Sequence, residues 1–177
     1  MKQQFDAWAA GFLDGEGCFS IKRRSPSARC RSSVVHHIQV DASQVDIRPL
    51  LALRAEYGGF IYNHLHGQNN NAAPAYRWKV TGPHAANLIR RVRPFLRVKD
   101  AHAYALLALQ QRLRRPDEPR SIVTRQEIAA RDKLFKLVKT LNLKGRERRQ
   151  VSPIQIEMSR PLLSEQAQTA EEEVTYA

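Results

Sequence analysis

The sequence predicts an α+β fold with the element order αββαββα, an antiparallel four-stranded sheet with helices on one face, and further helices towards the C-terminus. Apolar residues recur at helical spacing in 5–16 and 46–57 and again from 83 onward. Between these segments lie four stretches in which apolar and polar residues alternate, as in strands with one buried face. A chain of 177 residues is long enough for one domain with a substantial core.

The first predicted helix has two contrasting faces. Its apolar residues recur at three- and four-residue spacing and are Phe5, Trp8, Ala9, Phe12 and Leu13. Ala7, Gly11 and Gly15 are four residues apart, so they form a stripe without bulk that a second helix can approach closely. Two glycines cost a helix about 1 kcal/mol each relative to alanine, which indicates that something else uses the space. Glu16 follows where this helix ends.

Two predicted strands follow the first helix. In the first, Phe19 and Ile21 alternate with polar residues, and the second occupies 34–40. The intervening loop contains Arg29 and Arg31 and is rich in serine, arginine and proline. The sequence thus predicts a half-buried strand pair joined by a basic loop.

A second helix and a second strand pair complete the predicted sheet. Asp46 is a candidate helix cap, and Gly58 is the expected end of that helix. The strands 60–66 and 75–81 flank a loop rich in glycine and asparagine, as in a hairpin.

The predicted C-terminal part is helical. Pro83 begins a helix that Pro94 ends, and 98–113 is predicted as the longest helix. A capping box at 124–127 precedes another helix. We assign 1–144 to one domain, and we expect 145–177, which shows no sustained period, to be a disordered or loosely docked tail.

The sheet face that the helices leave open is predicted to be basic. The candidate DNA-binding residues on it and in its adjoining loops are Ser20, Lys22, Arg24, Arg29, Arg31, His37, Gln39, Tyr62, His64, His66, Arg77 and Lys79. Side chains of these types contact phosphates and base edges in a duplex groove. The alternative is an ordinary solvated face, but such a face would include acidic residues, and none is predicted here.

Composition favours a polyanionic partner and argues against a membrane or a disulfide framework. The 29 basic residues exceed the 17 acids, giving a formal net charge of +12. This excess lies in residues 1–144, with 25 basic and 11 acidic side chains, whereas 145–177 contains 4 and 6. The spacing of Cys18 and Cys30 fits neither a zinc site nor a disulfide framework, so we expect an intracellular protein. No apolar run is long enough to span a bilayer.

The segment 9–17, Ala-Ala-Gly-Phe-Leu-Asp-Gly-Glu-Gly, resembles the motif of the LAGLIDADG homing endonucleases and the related intron maturases. Gly11, Asp14 and Gly17 match consensus letters, and Glu16 replaces the second aspartate. The resemblance covers roughly 5–114, including the strand 76–82 and the segment 94–99. The motif occurs once, and single-motif members of the family are homodimers that cut both strands of long, nearly palindromic DNA sites.

The resemblance also implies roles for the residues around the motif. Glu16 is then the metal-binding catalytic acid, the Gly15 carbonyl is a second metal contact, and Asp14 supports a dimer helix with Ala7 and Gly11. The implied cofactor is Mg²⁺ or another divalent cation such as Mn²⁺ or Ca²⁺, whose charge assists phosphodiester hydrolysis. Without a second copy, Glu16 would be a solvated acid after a helix.

Two supporting positions leave the activity open. Lys99 matches a family lysine near the cleavage centre, although a surface lysine is the competing interpretation. Ala42 stands where the family often has glutamine, so either Ser43 or Gln44 substitutes for it or activity is reduced. His102 is expected to serve packing rather than catalysis.

The predicted function is therefore a homodimeric, magnesium-dependent, site-specific DNA endonuclease. The alternative is an RNA maturase that binds its host intron, or a non-cleaving DNA-binding protein of the same fold. The sequence leaves open whether the host compartment is an organelle, a bacterium or a phage.

Overall fold

The predicted element order is confirmed in a computed structural model, which describes residues 2–25, 34–64, 75–113 and 123–143. The helices are α1 (Lys2–Glu16), α2 (Arg48–Tyr57), α3 (Gly82–Val92), α4 (Asp100–Arg112) and α5 (Arg125–Leu141). The strands are β1 (Gly17–Arg24), β2 (Val35–Gln44), β3 (Phe60–His64) and β4 (Ala75–Thr81), and a 3-10 turn covers Arg93–Phe95. The predicted tail at 145–177 lies outside the described residues.

The four strands form one antiparallel sheet in the order β1-β2-β4-β3. Because side chains alternate between the faces of a strand, the register defines an inner and an outer face. The buried part of the inner face consists mainly of Phe19, Ile21, Ile38, Val40, Trp78 and Val80. The five helices of the described segments pack in contact with the sheet or with one another, and the helical side of the sheet holds the core.

The predicted apolar face of α1 divides in the folded chain. Ala9 and Leu13 enter the core, as predicted. Trp8 instead remains 42% exposed and contacts the rings of Phe5 and Phe12, at centroid distances of 5.0 and 5.7 Å. The predicted apolar face therefore extends beyond the core, with Phe5 and Phe12 partly buried against the core and Trp8 at the surface.

A buried carboxylate joins α1 to α2 and α3. Asp6 accepts a hydrogen bond of 2.5 Å from the Tyr57 hydroxyl and lies 2.8 Å from Nη2 of Arg91. Arg91 also donates to Glu56 at 2.6 Å and lies over the Tyr57 ring. Burial raises the pKa of Tyr57, and the bond to Asp6 raises it further. This network fixes the inner side of α1 against the rest of the domain.

Several element boundaries differ from the predictions. The second strand does not end at residue 40 but continues through Gln44, because Asp41 to Gln44 pair with β4. The helix predicted at 98–113 spans only Asp100–Arg112, and α5 with 17 residues is longer, so the prediction that 98–113 is the longest helix was wrong. The prediction that Asp46 caps α2 was also wrong, because Ile47 occupies the N-cap position. Asp46 precedes the helix, and its carboxylate accepts a hydrogen bond from the Arg48 amide.

The last helix, α5, is fixed to the edge of the sheet. Asp132 accepts a hydrogen bond of 2.8 Å from Nε of Arg23, and its Oδ1 lies 2.7 Å from Nε2 of the buried His36. The bond from Arg23 is the main reason that the pKa of Asp132 lies below its ordinary value. Val138 is buried, and Nδ2 of Asn142 donates to the Phe19 carbonyl at 2.8 Å. The position of the C-terminal half of α5 is therefore set by contacts with β1.

The predicted cap of α5 is confirmed, since Thr124 Oγ1 accepts a hydrogen bond of 3.1 Å from the Glu127 amide. In the described part of the chain, no helix has both the length and the apolar character needed to cross a membrane.

Candidate nucleic-acid interface and active site

The end of α1 passes directly into β1 at Gly17. A Cβ at this position would lie 2.6 Å from the Leu13 carbonyl oxygen, so only glycine fits without displacing the helix. Glu16, the last residue of α1, is exposed. The close approach of helix and strand thus leaves one carboxylate at the junction, directed away from the core.

Asp14 is bonded to the segment that precedes α4. Its carboxylate accepts hydrogen bonds from the amides of Arg97, Val98 and Lys99, at 2.6, 3.2 and 2.9 Å. Its carbonyl oxygen accepts a further hydrogen bond from Lys99 Nζ. These bonds lie within one chain and agree with a structural rather than a metal-binding role for Asp14, while its part in a dimer helix stays a prediction.

Those bonds bring Lys99 to the same pocket as Glu16. The pocket has a volume of about 540 Å³ and opens at the edge of β1. Its lining comes from four elements and consists of Gly15, Glu16, Gly17, Cys18, Ser20, Ile21, Lys22, Lys99, Phe135, Val138, Lys139 and Asn142. Three lysines therefore surround one acid, and a pocket with this charge balance attracts an anionic group such as a phosphate.

The contribution of α5 to this pocket was not predicted. Lys139 and Asn142 are about one helical turn apart and reach the pocket because Val138 and Asn142 fasten α5 to the sheet. Nothing in the local sequence of α5 indicates this position, since it depends on contacts with β1 more than one hundred residues away.

The oxygens near Glu16 are chemically suited to a hard divalent cation but are few. Such ions prefer carboxylate, carbonyl and water oxygens. Glu16 offers a carboxylate, and Gly15 lies in the last turn of α1, where carbonyls lack helical partners. Within the described segments, no group of three or more His, Cys, Asp or Glu residues could hold a metal ion. One chain thus fits the ion only if phosphate, water or a second copy supplies the remaining ligands.

The outer sheet face collects most of the predicted DNA-binding residues. Strand pairing places Ser20 opposite Gln39 and Lys22 opposite His37, and it places Tyr62 opposite Arg77. Exposure varies: the exposed members are Lys22, Arg24 and Tyr62, the half-buried ones are His37, Arg77 and Lys79, and the buried ones are Ser20 and Gln39. Two of the candidate residues, Ser20 and Gln39, are therefore largely shielded from solvent in the single chain.

Some predicted contacts cannot be placed on this face. Arg29, Arg31 and His66 lie outside the described residues, and for His64 only the backbone is described, paired with Ala75. Lys79 Nζ lies 5.6 Å from the centroid of the Tyr62 ring, a cation–π contact that holds the lysine at the surface.

His37 lies among cations. Burial lowers its pKa, and the positive charges of Arg24, Lys22 and Lys79 lower it further. The imidazole is therefore uncharged at neutral pH, and a nearby anion would favour its protonation.

The outer face also contains an acid that the sequence analysis missed. Asp41 pairs with Cys18 on one side and Lys79 on the other, and it accepts hydrogen bonds from Gln39 and Arg77. It was missed because the strand was expected to end one residue earlier. The alternation of Gln39, Asp41 and Ser43 was the available signal.

The position that departs from the family pattern faces the core. Ala42 is 1% exposed and pairs with Gly17 and Trp78. Of its two suggested substitutes, Ser43 lies on the outer face opposite Arg77, whereas Gln44 lies on the other face opposite Tyr76. Compensation for Ala42 by Ser43 or Gln44 stays a prediction.

The stripe of small residues on α1 lies at the surface. Ala7, Gly11 and Gly15 are all exposed. A Cβ added at Gly11 or Gly15 would meet no atom of the described residues within 4 Å. The packing of the single chain therefore does not require glycine at these positions.

Residues 9–99 match the family model described as LAGLIDADG endonuclease. The chain belongs to this family. The match begins in α1 and ends at Lys99, so it includes the pocket residues from α1, β1 and the segment before α4. In this single-motif LAGLIDADG protein, α5 lies beyond the matched residues.

Solved structures share the fold at low sequence identity. The homing endonuclease I-CvuI, in complex with the I-CreI target in the presence of Mg, is 19% identical with a TM-score of 0.63, covering 82% of this chain and 86% of that one. The archaeal intron-encoded homing endonuclease I-Vdi141I, complexed with DNA, is 18% identical with a TM-score of 0.65, covering 82% and 88%. No curated protein sequence is significantly similar to this chain.

Proposed function

We propose that two copies of this LAGLIDADG protein form a homodimer that binds a long, nearly palindromic DNA duplex and hydrolyses a phosphodiester in each strand. The observation that carries the proposal is the position of Glu16. Its exposed carboxylate lies between a pocket with three lysines and a helix stripe without bulk. One carboxylate beside a phosphate-attracting pocket supplies part of the oxygen-ligand set that divalent-metal hydrolysis needs.

The glycines of α1 support the dimer. Each costs the helix about 1 kcal/mol relative to alanine, and the packing of the single chain shows no need for them. Both are accounted for if the α1 helices of two chains cross at Gly11 and Gly15 around a two-fold axis. Since Glu16 directly follows Gly15, such a crossing brings the two carboxylates near the axis.

Glu16 and the Gly15 carbonyl would hold a divalent cation, together with phosphate oxygens and water. A bound Mg²⁺ supplies charge neutralisation on the phosphate and lowers the pKa of coordinated water. The protein's own part is positional and electrostatic. Lys99, fixed by its bond to the Asp14 carbonyl, and Lys22 and Lys139, on two further elements, stabilise negative charge on the phosphate.

The outer sheet face supports binding of a duplex. Its cations come from two strands that are not sequence neighbours, Lys22 and Arg24 from β1 and Arg77 and Lys79 from β4. These two strands lie on either side of β2 in the sheet. Strands of a β-sheet can enter the major groove, where arginine and lysine read base edges and contact phosphates.

One observation favours a second candidate function. Ala42 is buried in the core and offers no polar group to the site. A chain of this family whose supporting residue is absent could bind DNA without cutting it, or act as a maturase on its host intron RNA.

Cleavage of the uninterrupted insertion site separates these functions. The probe is the duplex made by joining the sequences that flank the gene, since a homing enzyme cuts its own unoccupied site. With Mg²⁺, we expect the wild-type chain to cut both strands and Glu16→Gln to bind with unchanged affinity but not to cut. Glu56→Gln, the same chemical change on α2 away from the pocket, should cut like the wild type.

Cutting by Glu16→Gln at the wild-type rate would contradict the catalytic assignment. Binding of the duplex without cutting by the wild-type chain would favour the non-cleaving protein. Binding of the intron transcript in preference to the duplex would favour the maturase.

A further inference from the structure

Asp41 is an acid in a surface that is otherwise suited to DNA. It is the only acidic residue among the outward-facing residues that the structure describes in the four strands. An acid facing a phosphate backbone is repulsive, so an exposed carboxylate here would weaken binding. Its side chain is only 3% exposed, however, and it is enclosed by neighbours on the same face. Asp41 therefore acts on those neighbours rather than on DNA directly.

Both oxygens of Asp41 are occupied. Oδ1 accepts a hydrogen bond of 2.9 Å from Nε of Arg77 and a second, shorter one from its Nη2. Oδ2 accepts a hydrogen bond of 2.7 Å from Nε2 of Gln39. The carboxylate thus fixes two potential base-reading side chains at once.

The bonds to Asp41 use only one edge of the Arg77 guanidinium. A guanidinium has five N–H donors in a rigid plane. Nε and one proton of Nη2 are engaged by Asp41, which leaves three donors, two of them on Nη1. The side chain of Arg77 is 27% exposed, so part of it remains accessible from the outer face.

The position of Arg77 is also restricted on its other sides. Strand pairing places it between Ser43 on β2 and Tyr62 on β3. An arginine held this way loses less conformational freedom when it binds than one that moves freely. Its direction, and therefore the base it faces, is set before DNA arrives.

We propose that Asp41 is a positioning residue that directs Arg77 to read a guanine in the major groove. This inference rests on the proposed DNA-binding function. Guanine presents two acceptors there, N7 and O6, and their spacing matches two parallel N–H groups of an arginine. In a two-fold dimer, one such guanine occurs in each half-site.

The first test uses the wild-type chain and modified DNA. Binding sites are selected from a randomised duplex library, and each recurrent guanine is then replaced by 7-deazaguanine, which lacks the N7 acceptor. We expect one guanine per half-site at which affinity falls about 5- to 150-fold, the range for loss of a bidentate contact. Inosine, which keeps N7 and O6, should leave affinity unchanged at that position. Unchanged affinity for 7-deazaguanine at every guanine overturns the proposal.

The second test separates positioning from simple charge. If Asp41 acted only as a negative charge, Asp41→Asn would strengthen binding to all sequences alike. Positioning instead predicts that Asp41→Asn loses the preference for guanine at the one sensitive position and keeps the preferences at positions that neither Arg77 nor Gln39 faces. Arg77→Lys, which retains the charge but lacks the planar pair of N–H groups, should weaken the same preference and the sensitivity to 7-deazaguanine.

The outcomes are distinguishable from failure of the proposed function. A wild-type chain that binds no duplex from the library refutes the proposed function and this inference together. Duplex binding with an unchanged guanine preference in Asp41→Asn refutes only the inference. If Asp41→Asn does not fold, as judged by circular dichroism, the results with 7-deazaguanine on the wild type and on Arg77→Lys decide.

Discussion

Replacing Asp14 by alanine tests how the end of α1 is held. The carboxylate accepts hydrogen bonds from three successive amides, those of Arg97, Val98 and Lys99. Asp14→Ala removes all three, and it also frees the helix end to which Lys99 Nζ is bonded. We expect both the stability of the domain and the position of Lys99 to depend on this residue.

The size of the loss follows from the number and exposure of these bonds. A hydrogen bond to a charged group contributes about 1.5–3 kcal/mol to the free energy of unfolding. Arg97 and Val98 are exposed, so water can replace part of what their amides lose. We therefore expect Asp14→Ala to lower the free energy of unfolding by about 2–4 kcal/mol, or to lower Tm by roughly 5–15 °C for a chain of this size.

Urea denaturation measures the change, with Glu16→Gln as the matched control. Glu16 lies two residues further along α1 and is exposed, so its substitution should change the free energy of unfolding by less than about 0.5 kcal/mol. Asp14→Asn, which keeps one acceptor oxygen, should fall between the two. An Asp14→Ala variant as stable as Glu16→Gln would refute the argument that this carboxylate braces the segment 97–99.

Three further substitutions probe the interface, the core and the sheet face. Gly11→Leu should leave the circular dichroism spectrum unchanged, because the single chain has room for the side chain. The variant should sediment as a monomer, and a dimer would exclude the proposed helix interface. Tyr57→Phe removes a buried hydrogen bond and should lower the free energy of unfolding, measured by urea denaturation, by about 1–2 kcal/mol. Tyr62→Phe, at the surface, should change it little. Equal effects of the two substitutions would contradict the network around Asp6. The pKa of His37 is lowered in the free protein, and phosphate favours its protonated form, so anisotropy at fixed salt should show DNA affinity rising as pH falls from about 7 to about 5. The same slope in His37→Gln would assign that pH dependence to another group.

A fall in pH should reduce the stability of the free protein through His37, although the same fall should strengthen DNA binding. Because its pKa is lower in the folded than in the unfolded state, the folded state binds fewer protons. Its contribution to stability is present above the unfolded pKa, about 6.5, and is lost as pH falls from there through the lower folded pKa. Thermal unfolding without DNA should therefore show His37→Gln losing less stability than the wild type over this range.

Local periodicity predicted most elements because each one depends on near neighbours. The alternation in 75–81 placed Trp78 and Val80 inside and Arg77 and Lys79 outside, and the structure confirms both assignments. The same kind of local signal located the end of α2 at Gly58 and the beginning of α3 near Pro83. The end of β2 was misjudged because Asp41 has a weak strand preference, and pairing with both β1 and β4 extends the strand across it.

By itself, the sequence determined the fold class, the motif at 9–17 and the exposed acid at its end, since these follow from spacing along the chain. Only the tertiary structure decided what surrounds that acid. The bond to Asp14 brings Lys99 to the end of α1, and the packing of α5 brings Lys139 to the same pocket. The pairing of β2 and β4 lets Asp41 accept a hydrogen bond from Arg77. Such pairs lie from 36 to more than 80 residues apart, and contacts over these separations leave no local period in a sequence.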